Sequence, residues 1–184
     1  INLTGVASST DINAVEVSVN RVSTLGVTDT LKTESSQSDI TSSSGGDVLV
    51  TFNGHVNLFD GNDDGRSVAT NNIGRLFFTA ASVNVYSGIQ TLDGDLSLVI
   101  GGEANWLATE ESSVDAGDAA IAGLLSQAGD IYIITGSNFI MDSDTSVRSV
   151  SGNIGINVTG DLTVGSVEAS SGYVRVFASG SIFD

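Results

Sequence analysis

The chain has 184 residues, the length of one domain or of a piece of something longer. It carries 6 Lys and Arg against 22 Asp and Glu, a formal charge of −16, and so acidic a surface repels nucleic-acid phosphate and anionic lipid alike. Cys and Pro are both absent, which excludes disulfides, thiolate metal sites and a Cys nucleophile, and a single His argues against transition-metal and triad chemistry. Apolar residues, at 40%, suffice for a packed core, yet no run approaches the ~18 apolar residues of a membrane helix.

The chain opens in mid-pattern, with Ile1-Asn2-Leu3 already alternating as a strand. That start reads as the edge of a processed or excised segment. A second alternating strand runs over Ala14-Val15-Glu16-Val17-Ser18-Val19, and a Ser- and Gly-rich stretch follows from Ser35. Residues 1–45 are read as one or two degenerate coils, and residues 46–184 as regular repeats of the same continuous domain.

The regular part begins at Gly46. Six segments start with Gly and then alternate: Gly46-Asp47-Val48-Leu49-Val50, Gly74-Arg75-Leu76-Phe77-Phe78, Gly94-Asp95-Leu96-Ser97-Leu98, Gly129-Asp130-Ile131-Tyr132-Ile133, Gly152-Asn153-Ile154-Gly155-Ile156 and Gly172-Tyr173-Val174-Arg175-Val176. The second and fourth residues after each Gly are large and apolar, which is the period of a strand with one buried face. Eight residues after each Gly stands a small residue, namely Gly54, Ser82, Gly102, Ser137, Gly160 and Gly180, as a crowded corner requires.

A second alternating pair follows each corner: Val56/Leu58, Val83/Val85, Ala104/Trp106, Phe139/Met141, Leu162/Val164 and finally Ile182. The Val83/Val85 pair is out of step by one residue, so its corner must differ. A third strand leads into the next Gly, clearest at Gly88-Ile89-Gln90-Thr91-Leu92 and Gly165-Ser166-Val167-Glu168-Ala169. Residues 118–128 have a helix-forming composition, but Gly123-Leu124-Leu125-Ser126 aligns with the other third strands and is assigned as β.

Three short strands per unit, with hairpin turn pairs scarce, describe a coil that stacks on its own copies. The expected fold is all-β: a parallel β-solenoid of about seven or eight coils. Pro would delete a ladder bond between coils, a physical reason for its absence. The expected interior includes Val48, Val50, Leu76, Phe78, Leu96, Leu98, Ile131, Ile133, Ile154, Ile156, Val174 and Val176.

The segments Gly-Asp-Ile-Tyr-Ile-Ile-Thr-Gly at 129–136, Gly-Asp-Leu-Thr-Val-Gly at 160–165 and Gly-Tyr-Val-Arg-Val-Phe-Ala-Ser-Gly-Ser-Ile at 172–182 resemble repeats of giant bacterial surface proteins, the filamentous-haemagglutinin-like adhesins. The resemblance covers roughly residues 46–184 and is one of pattern and composition. It implies a right-handed parallel β-helix (the β-solenoid named above), an extracellular location at the bacterial cell surface, and adhesive or scaffolding work. Nothing here matches the N-terminal secretion domain of that class, so the chain reads as an internal slice of a longer shaft. Its partners are then further repeats of the same chain or end-to-end copies, with a cell-surface glycan or protein as ligand, and without nucleic acid or membrane insertion.

Few residues point to chemistry. His55, beside the corner Gly54, reads as a surface or corner histidine. Asp47, Asp95 and Asp130 each follow a corner Gly and should line up on one outer face, with the Arg75 coil between the first two. Carboxylates one or two coils apart fall within the separation of a glycosidase acid–base pair. A polysaccharide lyase or hydrolase using these Asp residues is therefore the alternative to a non-catalytic shaft. Gly-Asp is equally a solvated corner, and a sugar cleft also wants exposed aromatic platforms. Only Tyr86, Tyr132, Tyr173 and Phe77 are expected to face out, with Trp106 inside.

The sharpest local motif is Asp60-Gly61-Asn62-Asp63-Asp64-Gly65, which fits the first half of a calcium loop. Oxygens of Asp60, Asn62 and Asp64 are the candidate metal ligands, and Gly65 permits the turn. Asn71 stands where an EF-hand has its bidentate Glu, so the alternative is a plain acidic turn. Asp142/Asp144 and Glu110/Glu111/Asp115/Asp118 are weaker versions. No cofactor is required, with calcium the one ion the sequence admits. The sequons at Asn2 and Asn157 read as chance matches.

Overall fold

The computed structural model describes residues 12–14, 17–21, 40–42, 47–52, 54–58, 66–70, 73–107 and 123–184. Strands β1 (Ile12–Ala14) and β2 (Val17–Arg21) come first. Six complete coils follow, each of three strands. The first comprises β3 (Ile40–Ser42), β4 (Val48–Phe52) and β5 (His55–Leu58). The second holds β6 (Arg66–Thr70), β7 (Leu76–Ala80) and β8 (Ser82–Val85). In the third are β9 (Gly88–Thr91), β10 (Leu96–Ile100) and β11 (Ala104–Trp106). Next come β12 (Gly123–Ser126), β13 (Ile131–Thr135) and β14 (Phe139–Met141). The last two coils are β15 (Ser146–Ser149), β16 (Ile154–Val158) and β17 (Leu162–Thr163), then β18 (Ser166–Ala169), β19 (Val174–Ala178) and β20 (Ile182–Phe183).

Each coil places one strand in each of three sheets: β1-β3-β6-β9-β12-β15-β18, β2-β4-β7-β10-β13-β16-β19 and β5-β8-β11-β14-β17-β20. Among the described residues every pairing is parallel and joins equivalent strands of successive coils. The molecule is a parallel β-solenoid. Among the described residues six coils are complete, against the seven or eight that the repeats led us to expect, and β1 and β2 fill a preceding row in two sheets.

The core consists of columns of like side chains. Leu76, Leu96, Ile131 and Ile154 stack in register, as do Phe78, Leu98, Ile133 and Ile156, all buried. On the third sheet Trp106 is buried and meets Phe139 edge to face, with ring centroids 4.5 Å apart. Val174 and Val176 continue the columns, but Val174 is 41% exposed and Val176 only partly buried, because no described coil lies above β19. Gly123–Ser126 is a strand, in line with the β assignment.

The step at Val83 is explained by its corner. Val83 pairs with Val56 and Ala104 in full register. The chain reaches it from β7 one residue sooner than Ala104 is reached from β10, since Ala80 pairs with Ile100. A shortened corner, not a slipped strand, absorbs the difference.

The corner before the second sheet dictates glycine. A Cβ built on Gly94 would lie under 3.0 Å from the Gly74 carbonyl oxygen, and the same holds for Gly129 on Gly94, Gly152 on Gly129 and Gly172 on Gly152. The wall is backbone, so no rotamer relieves it. Beneath this column runs a second one, which the sequence reading missed. Ser126 and Ser149 sit buried three residues before their corner glycines. The Ser149 hydroxyl donates to the Gly129 carbonyl of the coil below at 3.0 Å and accepts the amide of Gly152 at 2.9 Å. Ser126 does the same with Gly94 at 3.3 Å and Gly129 at 2.9 Å. Thr91 occupies the same column, pairing with Ser126, but its Oγ1 is buried without a partner.

These columns make separable predictions in urea unfolding. Gly129→Ala is expected to cost about 2–3 kcal/mol, since backbone must move to admit the methyl. Ser149→Ala should cost about 1–3 kcal/mol, because a buried amide and carbonyl lose their partner. Thr91→Val, which removes an unpaired hydroxyl at constant shape, should be neutral or stabilising. A destabilisation of Thr91→Val as large as that of Ser149→Ala would refute the account.

Candidate functional site

The three outward carboxylates fall in one column, as the repeat spacing requires. The residue after each corner glycine runs Asp47, Arg75, Asp95, Asp130, Asn153 and Tyr173 through successive coils. Its backbone carbonyl accepts from the coil below: Val48 N donates to Arg75 O at 2.8 Å, Leu96 N to Asp130 O at 2.9 Å, and Ile131 N to Asn153 O at 2.8 Å. Where the coil below carries Asp or Asn in this column, that side chain accepts the amide of the residue above it. Asp47 Oδ1 accepts the Arg75 amide at 2.9 Å, Asp95 Oδ1 the Asp130 amide at 2.9 Å, and Asp130 Oδ1 the Asn153 amide at 2.7 Å. Asn153 Oδ1 continues with the Tyr173 amide at 3.2 Å. The column is thus a ladder of side-chain oxygens that cap main-chain donors.

Further bonds occupy the same carboxylates. Arg75 Nη2 donates to Asp47 Oδ2 at 2.6 Å, and its Nε to Asp47 Oδ1 at 3.3 Å. Tyr132 Oη donates to Asp130 Oδ2 at 2.8 Å, and Asn153 Nδ2 adds a bond to Asp130 Oδ1 at 3.1 Å. The Arg75 side-chain bond holds the Asp47 carboxyl below its usual range, with the Arg75 amide adding to it. The Asn153 amide does the same for Asp130, and the Asp130 carboxylate in turn raises the Tyr132 phenol. Both carboxyls are kept ionised, the opposite of what a general acid needs.

The third sheet carries a second polar network. His55 accepts at Nε2 from Asn84 Nδ2 at 3.2 Å, which leaves the ring hydrogen on Nδ1, 2.8 Å from Ser82 Oγ. Asn105 Nδ2 donates to Asn84 Oδ1 at 3.0 Å and to Glu103 Oε1 at 3.1 Å. His55 is therefore a corner histidine fixed at both nitrogens. The sequence signal for this network was present, since Asn57, Asn84 and Asn105 stand in one register, but it was not read. A matching cap lies at the corner below: Asn138 Oδ1 accepts the Asp161 amide at 2.9 Å, and Asp161 Oδ1 the Ser181 amide at 2.7 Å.

The calcium candidates Asp60, Asn62 and Asp64 lie outside the described residues, as do Glu110, Glu111, Asp115 and Asp118. Asp142 and Asp144 form a tight turn, in which Thr145 donates through N at 3.0 Å and Oγ1 at 2.7 Å to the Asp142 carbonyl. Among the described residues no three His, Cys, Asp or Glu side chains converge as a metal needs. Of the aromatics expected outside, Phe77, Tyr132 and Tyr173 are exposed and Tyr86 is half-buried. Phe177 and Phe183 are exposed as well, unread in the sequence although Phe177 stands at an outward position of its strand.

No family model, curated relative or solved structure matches the chain.

The ladder carries a pH dependence of definite sign. Asp130 has a lowered pKa in the folded chain, so the stability it contributes is present above its ordinary 3.8 and is lost as pH falls through the folded value. Asp130→Asn keeps an acceptor oxygen, as Asn153 shows, and should leave stability at pH 7 within about 1 kcal/mol. Below pH ~4 the variant should lose stability less steeply than the parent. Parallel acid-unfolding curves would contradict the assignment.

Proposed function

We propose that this chain is a structural shaft segment of a large secreted bacterial adhesin or cell-surface filament, with no catalytic role. The observation that carries the reading is the use made of the outward acids. Asp47, Asp95 and Asp130 each cap a main-chain amide of the next coil, and the first and last hold additional bonds. In a hydrolase or lyase such carboxylates face the substrate instead. Successive coils from Gly74 to Gly172 meet through the same glycine step, reinforced by a bridging hydroxyl at Ser126 and Ser149, a pattern that can extend by repetition. The partners of such a shaft are further repeats of the same chain or copies stacked end to end.

Two measurements test the reading. Antibodies against the purified chain should label intact cells of the source organism, and at a distance from the membrane in electron micrographs. The chain should release no reducing ends or unsaturated products from polygalacturonate or xylan, and Asp95→Asn should change nothing in that assay. Labelling confined to broken cells, or polysaccharide cleavage that Asp95→Asn abolishes, would replace the shaft with an intracellular protein or an enzyme.

A further inference from the structure

The outer face of the second sheet is unusual for so acidic a chain. One column there runs Leu49, Phe77, Ser97, Tyr132, Gly155 and Arg175, one residue per coil. Phe77 is 38% and Tyr132 44% exposed. Both rings are held by the residue two positions earlier in the chain, at the corner just before the strand. The Arg75 guanidinium lies 5.4 Å from the Phe77 ring centroid, and Asp130 accepts the Tyr132 hydroxyl at 2.8 Å. Tyr132 leans over the next coil, since a Cβ on Gly155 would sit 3.3 Å from its Cδ1 and 3.7 Å from its Cε1. Any larger residue there would press on the ring. In the adjacent column Val99 and Ile134 stand exposed, and on the other side lie Asp95 and Asp130.

We propose that this column is a binding stripe for a neutral, extended, β-1,4-linked glycan lying parallel to the solenoid axis, with pyranose rings stacked on Phe77 and Tyr132. From Phe77 onward large and small residues alternate along the column with a period of two coils, about 10 Å at ~4.8 Å per coil. A two-fold β-1,4 chain advances about one sugar per coil and presents the same ring face at every second sugar. The pattern of ring, Ser97, ring, Gly155 matches that repeat. The apolar C–H face of a pyranose suits an aromatic surface, and Ser97 with the Asp95 carboxylate offers partners to hydroxyls along one edge. Rings fixed beforehand lose little entropy on binding.

Charge and area select this occupant over others. The carboxylate row beside the stripe and the net charge of −16 disfavour acidic glycans and a second copy of the chain. Five residues across and seven rows deep, the described face measures roughly 550 Å², against the ~800 Å² per partner of a stable protein interface. A narrow chain ligand fits such a strip. The proposal holds whether or not the chain belongs to a shaft, because it concerns one face and not the ends.

The test is calorimetric titration of the full chain with cellohexaose, with maltohexaose and oligogalacturonate as comparison ligands. Cellohexaose should bind in the micromolar to millimolar range, and the α-linked and acidic oligomers at least tenfold more weakly. Tyr132→Ala and Phe77→Ala should each weaken binding tenfold or more. Ser97→Ile, which obstructs the middle of the stripe while leaving both rings, should do likewise. Phe177→Ala, in the adjacent column, should leave binding unchanged, and circular dichroism should be the same for all variants. No heat with cellohexaose at millimolar concentration would overturn the proposal, as would unaltered binding by a folded Tyr132→Ala chain. So would self-association in sedimentation velocity that Tyr132→Ala abolishes, since a second copy would then hold the face.

Discussion

The spacing between adjacent backbones at one corner governs the rest of the molecule. Where the chain enters the second sheet, successive coils come so close that a carbonyl oxygen occupies the place of the next residue's Cβ, from Gly74 through Gly172. Only glycine satisfies that geometry, and it recurs once per coil. Because the corner is fixed, the strand after it starts in the same register every time. The apolar columns led by Leu76 and Phe78 stack without offset as a result. The amides exposed by the same corner need acceptors, and Asp95, Asp130 and Asn153 outside, with Ser126 and Ser149 inside, provide them. Packing and polar satisfaction thus follow from one steric condition.

How far the fold could be read depended on which forces leave a local trace. Alternation such as Leu96/Leu98 and Ile131/Ile133 marks a buried face directly, and the preceding glycine marks the corner, so strand assignments and core columns were legible. The alignment of Asp47, Asp95 and Asp130 was legible too, but their task was not. A carboxylate that caps an amide of another coil looks in sequence like one awaiting a substrate. The hydroxyl column at Thr91, Ser126 and Ser149 went unread although it repeats at a constant offset, because serine before glycine also signals an ordinary turn. Val174 and Val176 were read from pattern alone, and their exposure depends on the absence of a described neighbour above β19.

Polar satisfaction is uneven along the axis. Among the described residues Ser87 Oγ, Thr91 Oγ1 and Trp106 Nε1 are the buried side-chain atoms without partners, and all belong to the third complete coil or the corner leading into it. Each orphan costs about 1–3 kcal/mol relative to a satisfied group. The hydroxyl that Ser126 and Ser149 use to join neighbouring glycines does nothing of the kind at Thr91. That coil compensates through bulk: Trp106, Leu96, Leu98 and Ile100 are among the largest fully buried side chains. Cohesion there is apolar where its neighbours combine apolar and polar contacts.

The three corners differ in the variation they tolerate. From the first sheet to the second the connection is 4 residues in each of the last four coils, and from the second to the third it is 3 in each of the last four. From the third sheet back to the first it is 7, 2, 16, 4 and 2 residues in turn. Even across the longest of these, Ile89 pairs with Leu124 and Ala104 with Phe139 in unbroken register. Long insertions have collected along one seam of the solenoid, while the other two corners vary by no more than one or two residues. A foreign peptide spliced between Trp106 and Gly123 would therefore lengthen a connection that the strands on either side already bridge without losing register.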